Sequence, residues 1–159
     1  VKHMMISNVR GAVTKVAGTI VFDAANASAS KIDAMIPVTT INTREEGRDK
    51  HLKSADFFDV EKFPTATFKS TKVEAAGKGA FKVTGDLTLH GVTKPVVFSV
   101  ENVTPEVKGM RGEMRMGAQA TTRINRKDFG ISWSRNMDGG GVVVSDEVDL
   151  TIDIEMVRK

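Results

Sequence analysis

The 159-residue chain has the length of one domain, with room for a core and a cavity. Hydrophobic residues make up 40% and charged residues 27%, and the net charge of +3 is spread over 23 basic and 20 acidic side chains without the basic block of a nucleic-acid arm. The absence of cysteine excludes disulfides and thiolate metal sites, and no apolar run approaches the ~18 residues of a membrane-spanning helix.

The first strand signal sets Val16, Gly18, Ile20 and Phe22 against Ala17, Thr19 and Val21. After the turn-forming NASAS (26–30), Ile32, Ala34, Ile36 and Val38 form a second apolar row. The segment REEGRDKHLKSADFFDVEKFP (44–64) then breaks the pattern. Its first half predicts a short helix, weakened at Gly47 by ~1 kcal/mol relative to alanine. Its second half supplies Phe57, Phe58, Val60 and Phe63 before Pro64 ends any helical turn. Burying each such aromatic is worth ~2–3 kcal/mol, so the segment is expected to fold over an apolar surface, such as a barrel mouth.

Strand signals resume with Ala66 and Phe68, then Phe81, Val83, Leu87 and Leu89, then Val96, Phe98 and Val100. The row Met114, Met116, Ala118 and Ala120 follows. The last segment puts Val148, Leu150, Ile152, Ile154 and Met156 on one face and Asp149, Thr151, Asp153 and Glu155 on the other. Turn-rich AAGKG (75–79), LHGVTKP (89–95) and MDGGG (137–141) separate these rows. Such short connections predict hairpins and a mostly antiparallel sheet of seven or eight strands, either a sandwich or a closed barrel.

Phe22, Met35, Phe68, Phe81, Phe98, Met114, Met116 and Ile152 are the candidate lining of an interior ligand site, with Phe57 and Phe58 near one end. A packed core is the plainer assignment for any one of them, but eight methionines provide soft surfaces suited to variable apolar ligands. His3, His51 and His90 are far apart in sequence and form no local metal motif. No G-x-S-x-G elbow occurs, and the glycines at 139–141 lack the lysine of a phosphate loop. Neither a catalytic residue, a cofactor nor a metal is therefore expected. Arg48 and Asp49 suit internal staples of the insert. Alternatively, Arg48, Arg123 and Arg126 gather at one rim and hold an anionic head group or touch a membrane surface.

Four stretches carry a family resemblance: VKHMMISNVRG (1–11), INTREEGRDKHLKSADFFDVEKFPTATFKST (41–71), GDLTLHGVTKPVVFSV (85–100) and TTRINRKDFGISW (121–133). They resemble the YceI-like family, small bacterial proteins usually described as polyisoprenoid-binding. The resemblance implies an all-β fold, an eight-stranded antiparallel lipocalin-like barrel with a short helical insert, as a single domain over 1–159. It implies a polyisoprenoid, isoprenoid quinone or fatty-acid derivative inside, for transport, storage or sequestration. It further implies periplasmic or secreted placement for many members, with cytoplasmic placement as the alternative, and a homodimer for some. Members of the family usually open with a further strand before V-K-H; were it truly absent the barrel would have an unpaired edge at the gap, and the favoured expectation is that it is removed by processing or lies outside this sequence. An enzyme using His51 or His90 on such a lipid, and a solid-core interaction module, stand as alternatives.

Overall fold

The structure, a computed structural model, describes residues 1–23, 25–136 and 141–158, so most of the MDGGG turn lies outside the described residues. In chain order the strands are β1 (Lys2–His3), β2 (Ser7–Asn8), β3 (Ala17–Val21), β4 (Lys31–Pro37), β5 (Thr65–Ala75), β6 (Phe81–Leu89), β7 (Val92–Glu101), β8 (Val107–Lys108), β9 (Met114–Asn125) and β10 (Glu147–Val157). A helix, α1 (Glu46–Lys53), stands between β4 and β5. The short β1 and β2 pair with each other. The remaining eight strands form one antiparallel sheet in the order β10-β9-β7-β6-β5-β4-β3, with β8 added against β9.

The connections explain the order. Leu89 pairs with Val92 across a two-residue turn in which His90 and Gly91 have φ of 52° and 73°. Positive φ at both positions is the hairpin turn whose twist matches that of the flanking strands. The β5–β6 ladder shifts register between Ser70 and Lys72, a bulge that adds local twist. Curvature shows in the aromatics. Phe22, just past β3, meets Phe81 of β6 with ring centroids 5.5 Å apart. Strands three places apart in a flat sheet stand about 14 Å from each other.

The fold is thus an all-β, lipocalin-like barrel of eight antiparallel strands with one short helical insert. Its ladder runs from β10 to β3, and among the described residues no hydrogen-bonded register joins those two ends. We call this unjoined line the seam.

Burial is uneven around the barrel. Phe68, Val73, Val83, Leu87, Val96, Phe98, Ala120, Ile124 and Phe129 form a continuous buried cluster from β5, β6, β7, β9 and the turn after β9. Phe68 and Phe98 meet edge to face at 5.1 Å, reaching over β6 where Gly85 has no side chain. The inward rows flanking the seam are only half-buried: Ile20, Ile32, Ala34 and Ile36 on one side, Leu150, Ile152, Ile154 and Met156 on the other, and Ile32, Ala34, Leu150, Ile152 and Ile154 among them pack against this cluster.

A Cβ at Gly85 would collide with the Lys69 carbonyl oxygen and stand 2.5 Å from the Phe68 ring. Gly85→Ala is therefore expected to destabilise the fold by about 1–3 kcal/mol through overpacking. A urea titration checks this by a lowered midpoint; an unchanged midpoint would show that the Phe68 ring gives way freely.

Candidate functional site

The insert is built around Thr43 and Glu45. The Glu45 carboxylate caps α1 by accepting from the backbone N–H groups of Gly47 (2.9 Å) and Arg48 (2.6 Å), two of the donors left free at a helix start. Asp49 Oδ1 accepts from the Thr43 N–H at 2.8 Å and the Thr43 hydroxyl at 2.5 Å. Arg48 closes the knot, with Nε donating to Thr43 Oγ1 at 2.8 Å and a terminal nitrogen to the Thr43 carbonyl at 3.1 Å. The Thr43 hydroxyl, above all, holds the Asp49 carboxyl below its ordinary value of 3.8. Arg48 and Asp49 are the internal staples of the insert.

After α1 the chain turns back, and the Phe58 and Val60 N–H groups donate to the carbonyls of Leu52 and Lys53. This satisfies helix-end acceptors and aims Phe57 inward. Phe57 is buried against His51 at 5.0 Å and Trp133 at 5.1 Å between centroids, while His51 also meets Trp133 at 5.0 Å. His51 Nε2 lies 2.8 Å from Asp56 Oδ2. Phe63 packs on His90 at 4.9 Å, and His90 Nδ1 lies 3.1 Å from the Phe129 carbonyl. A carbonyl only accepts, so Nδ1 carries the proton in that bond. The insert therefore rests on the β6–β7 turn and the β9–β10 connection, at one end of the barrel.

That connection is pinned from within. Asn125 caps a 3-10 turn over Arg126–Phe129, and Gly130 ends it at φ 74°. Arg126, 4% exposed, donates to the carbonyls of Ser145 (3.1 Å), Ile131 (2.9 Å) and Trp133 (2.6 Å) and pairs with Asp146 at 3.1 Å. Lys127 also reaches Asp146, at 2.8 Å. This hydrogen bond from Lys127, followed by the charges of Lys127 and Arg126, holds the Asp146 carboxyl below its ordinary range.

The expected cationic rim is corrected by this arrangement. Arg48 is tied to Thr43 and Arg126 to the carbonyls of Ile131, Trp133 and Ser145. Arg123 points outward from β9, where it pairs with Asp149 at 2.6 Å and Glu147 at 3.4 Å. The three do not converge, because each finds a stronger local partner. The hollow beside α1 mixes signs, being lined by Arg44, Lys50 and Lys53 together with Glu45, Glu46 and Asp49.

The candidate lining residues separate into groups. Phe57 and half-buried Phe58 lie in the insert, while Phe22 and Phe81 meet at the opposite end. Phe68 and Phe98 are packed into the buried cluster, so in this structure they are core and not open lining. Met114 and Met116 are half-buried at the start of β9, and Met116 pairs with Met156. Ile152 faces inward opposite Ala120. Met35 is a correction: it is 47% exposed on the outer face, because the β4 inward row is Ile32, Ala34 and Ile36 and period two sends Met35 outward. Phe129, Ile131 and Trp133 were not among the candidates, although they alternate with Gly130 and Ser132 and bear the insert.

A curled eight-stranded sheet with an apolar inner face and a helix-bearing segment at one end defines the class of small lipocalin-like barrels. Within it, the sequence matches the YceI-like domain over residues 1–156, and the chain belongs to that family. It is 40% identical to a UPF0312 protein of Ectopseudomonas mendocina (strain ymp), over 100% of this chain and 80% of that one. The crystal structure of Campylobacter jejuni YCEI protein superposes with a TM-score of 0.83 at 34% identity, covering 100% of this chain and 90% of that one. A polyisoprenoid binding domain from Saccharophagus degradans, implicated in plant cell wall breakdown, shares the fold with a TM-score of 0.66 at 15% identity, over 97% and 88% of the two chains.

Arg126→Leu would strand one buried carbonyl and two partly buried ones and is expected to cost about 2–4 kcal/mol. Chemical denaturation checks the loss, and the emission of Trp133, the sole tryptophan, should shift red as its support goes. Acid should also act through Asp49 and Asp146. Both carboxyls sit lower folded than unfolded, so their stabilisation is present above pH 3.8 and is lost as pH falls below it through the depressed folded values. Asp49→Asn should remove part of that acid dependence in a denaturation series against pH.

Proposed function

We propose that the protein binds a long-chain hydrophobe, such as a polyisoprenoid, an isoprenoid quinone or a fatty-acid derivative, and carries, stores or sequesters it without altering it chemically. One observation carries this reading: the inner face of the curled sheet is apolar throughout, and half-buried rows on β3, β4, β9 and β10 extend the buried cluster of β5, β6 and β7. A sheet face that is apolar and still wet gains from any chain laid along it. Each buried methylene contributes ~0.8 kcal/mol, so two isoprene units approach ~8 kcal/mol before ordering costs. Binding on that scale needs no polar contact, consistent with the lack of a cationic rim. The Saccharophagus degradans domain, polyisoprenoid-binding by name, adds support at the level of fold. Such a carrier suits an aqueous compartment beside a membrane, periplasmic or extracellular.

An enzymatic reading has one observation in its favour, the His51–Asp56 contact at 2.8 Å. The ring, however, is wedged edge-on against Phe57 and Trp133, and this packing accounts for its position without chemistry.

Native mass spectrometry with organic extraction tests the proposal. The expected result is a co-purifying or added isoprenoid that survives transfer, with tolerance of chain length. Ile152→Asn and Ile36→Asn should each weaken retention about tenfold or more, since a polar amide replaces buried alkyl surface. Met35→Asn, on the outer face, should leave retention unchanged. Equal effects of all three would remove the seam from consideration, and turnover of the lipid lost in His51→Ala would favour the enzyme.

A further inference from the structure

The β1–β2 hairpin has an unusual tip. Met4, Met5 and Ile6 connect His3 to Ser7, and they are 43%, 50% and 84% exposed. Met4 and Met5 also have φ of 50° and 58°, backbone that disfavours side-chain-bearing residues and is usually left to glycine or asparagine. In the His90–Gly91 turn the same conformation places a ring into packing. Here two methionines and an isoleucine gain no comparable burial. Folding alone does not account for three apolar side chains at this position.

Its location is equally specific. Lys2 and Met4 are hydrogen-bonded to Ser145 and Val143, just before β10, and His3 bridges Val144. A few residues on, Ala12 bridges Asn42 and the Thr14 N–H donates to Thr40, just after β4. Residues 1–14 therefore run from the foot of β10 to the foot of β4, across the end of the seam where the insert lies. The insert beside it mixes signs, but the charge of the segment itself is one-sided. Residues 1–22 contain Lys2, Arg10 and Lys15 and no carboxylate, and none of these three forms an ion pair with a described residue. At the opposite end Met110, also fully exposed, lies near exposed Val107 with Lys108 and Arg111 beside it, so it serves as the competing patch of similar chemistry.

We propose that the Met4–Met5–Ile6 tip is a membrane-docking element: it inserts into the interface of an anionic lipid surface and sets the end of the seam against the bilayer. Exposed apolar side chains flanked by cations are the chemistry that holds a peripheral protein at such an interface. The docked orientation gives a hydrophobe a path between bilayer and seam that avoids water. This rests on the lipid-binding reading and names where loading takes place.

The absence of cysteine allows a direct test. An environment-sensitive fluorophore is attached at Ile6→Cys, and in a second protein at Met110→Cys. Each is mixed with vesicles of equal parts phosphatidylcholine and phosphatidylglycerol, and with vesicles of phosphatidylcholine alone. The Ile6→Cys label should shift blue on the anionic vesicles, less so on neutral ones or in high salt, and the Met110→Cys label should not respond. In unlabelled protein, Met5→Ser with Ile6→Ser should reduce co-sedimentation with anionic vesicles at least about tenfold. The lipid already retained in that variant, read by native mass spectrometry, should be unchanged, which separates failed docking from failed binding. Equal response of the two labels, undiminished sedimentation of the double variant, or a blue shift that follows protein concentration without vesicles would each overturn the proposal.

Discussion

Everything at the insert end depends on one buried cation. A guanidinium taken out of water is costly unless its donors are matched, and Arg126 is matched by three carbonyls and one carboxylate. Those acceptors come from two separated stretches, 131–133 and 145–146, so a single side chain ties the start of the long β9–β10 connection to its return. Trp133 is fixed by this tie, Phe57 and His51 lean on Trp133, and α1 is anchored through them. The order of dependence runs from Arg126 outward to the insert. The covering segment is held by aromatic contacts at two places, Phe57 and His51 on Trp133 and Phe63 on His90.

The two sides of the barrel use the same residue types to different ends. Around β5, β6, β7 and β9, large rings are matched to glycine and small residues, and the Phe68–Phe98 pair over Gly85 leaves no space. Along β3, β4 and β10 the inward residues are mostly branched aliphatics, set opposite alanines at Ile36, Ile152 and Ile154 and opposite larger side chains at Ala34 and Met156. One side is therefore fully buried, and the other is apolar and half-buried against it.

Much of this was legible in the amino-acid order. Strict alternation in 148–156 identified β10 and its inward row, and the breaker-rich segments marked the hairpins. Charges and aromatics in 44–64 identified a covering segment, because so many rings cannot stay in water. What periodicity does not show is which inward rows close against each other, since that depends on pairing between distant strands. Phe68 and Phe98 were thus legible as interior but not as mutually packed. Met35 was misplaced by weighing residue type above parity. Arg126 reads in sequence as one more surface cation; only the return of residues 145–146 to the same place reveals it as buried.

The outer face of β10 has a consequence for how the molecule meets its own copies. Glu147, Asp149, Asp153 and Glu155 all project from the strand that ends the ladder. An open strand edge is a template for fibrous stacking, and antiparallel addition of a second β10 would set carboxylates beside carboxylates. Arg115 and Arg123 of β9 already neutralise Glu155, Glu147 and Asp149 within the molecule, so Asp153, held by the neutral Gln119 amide, is the charge on this face that a second copy would meet uncompensated among the described residues.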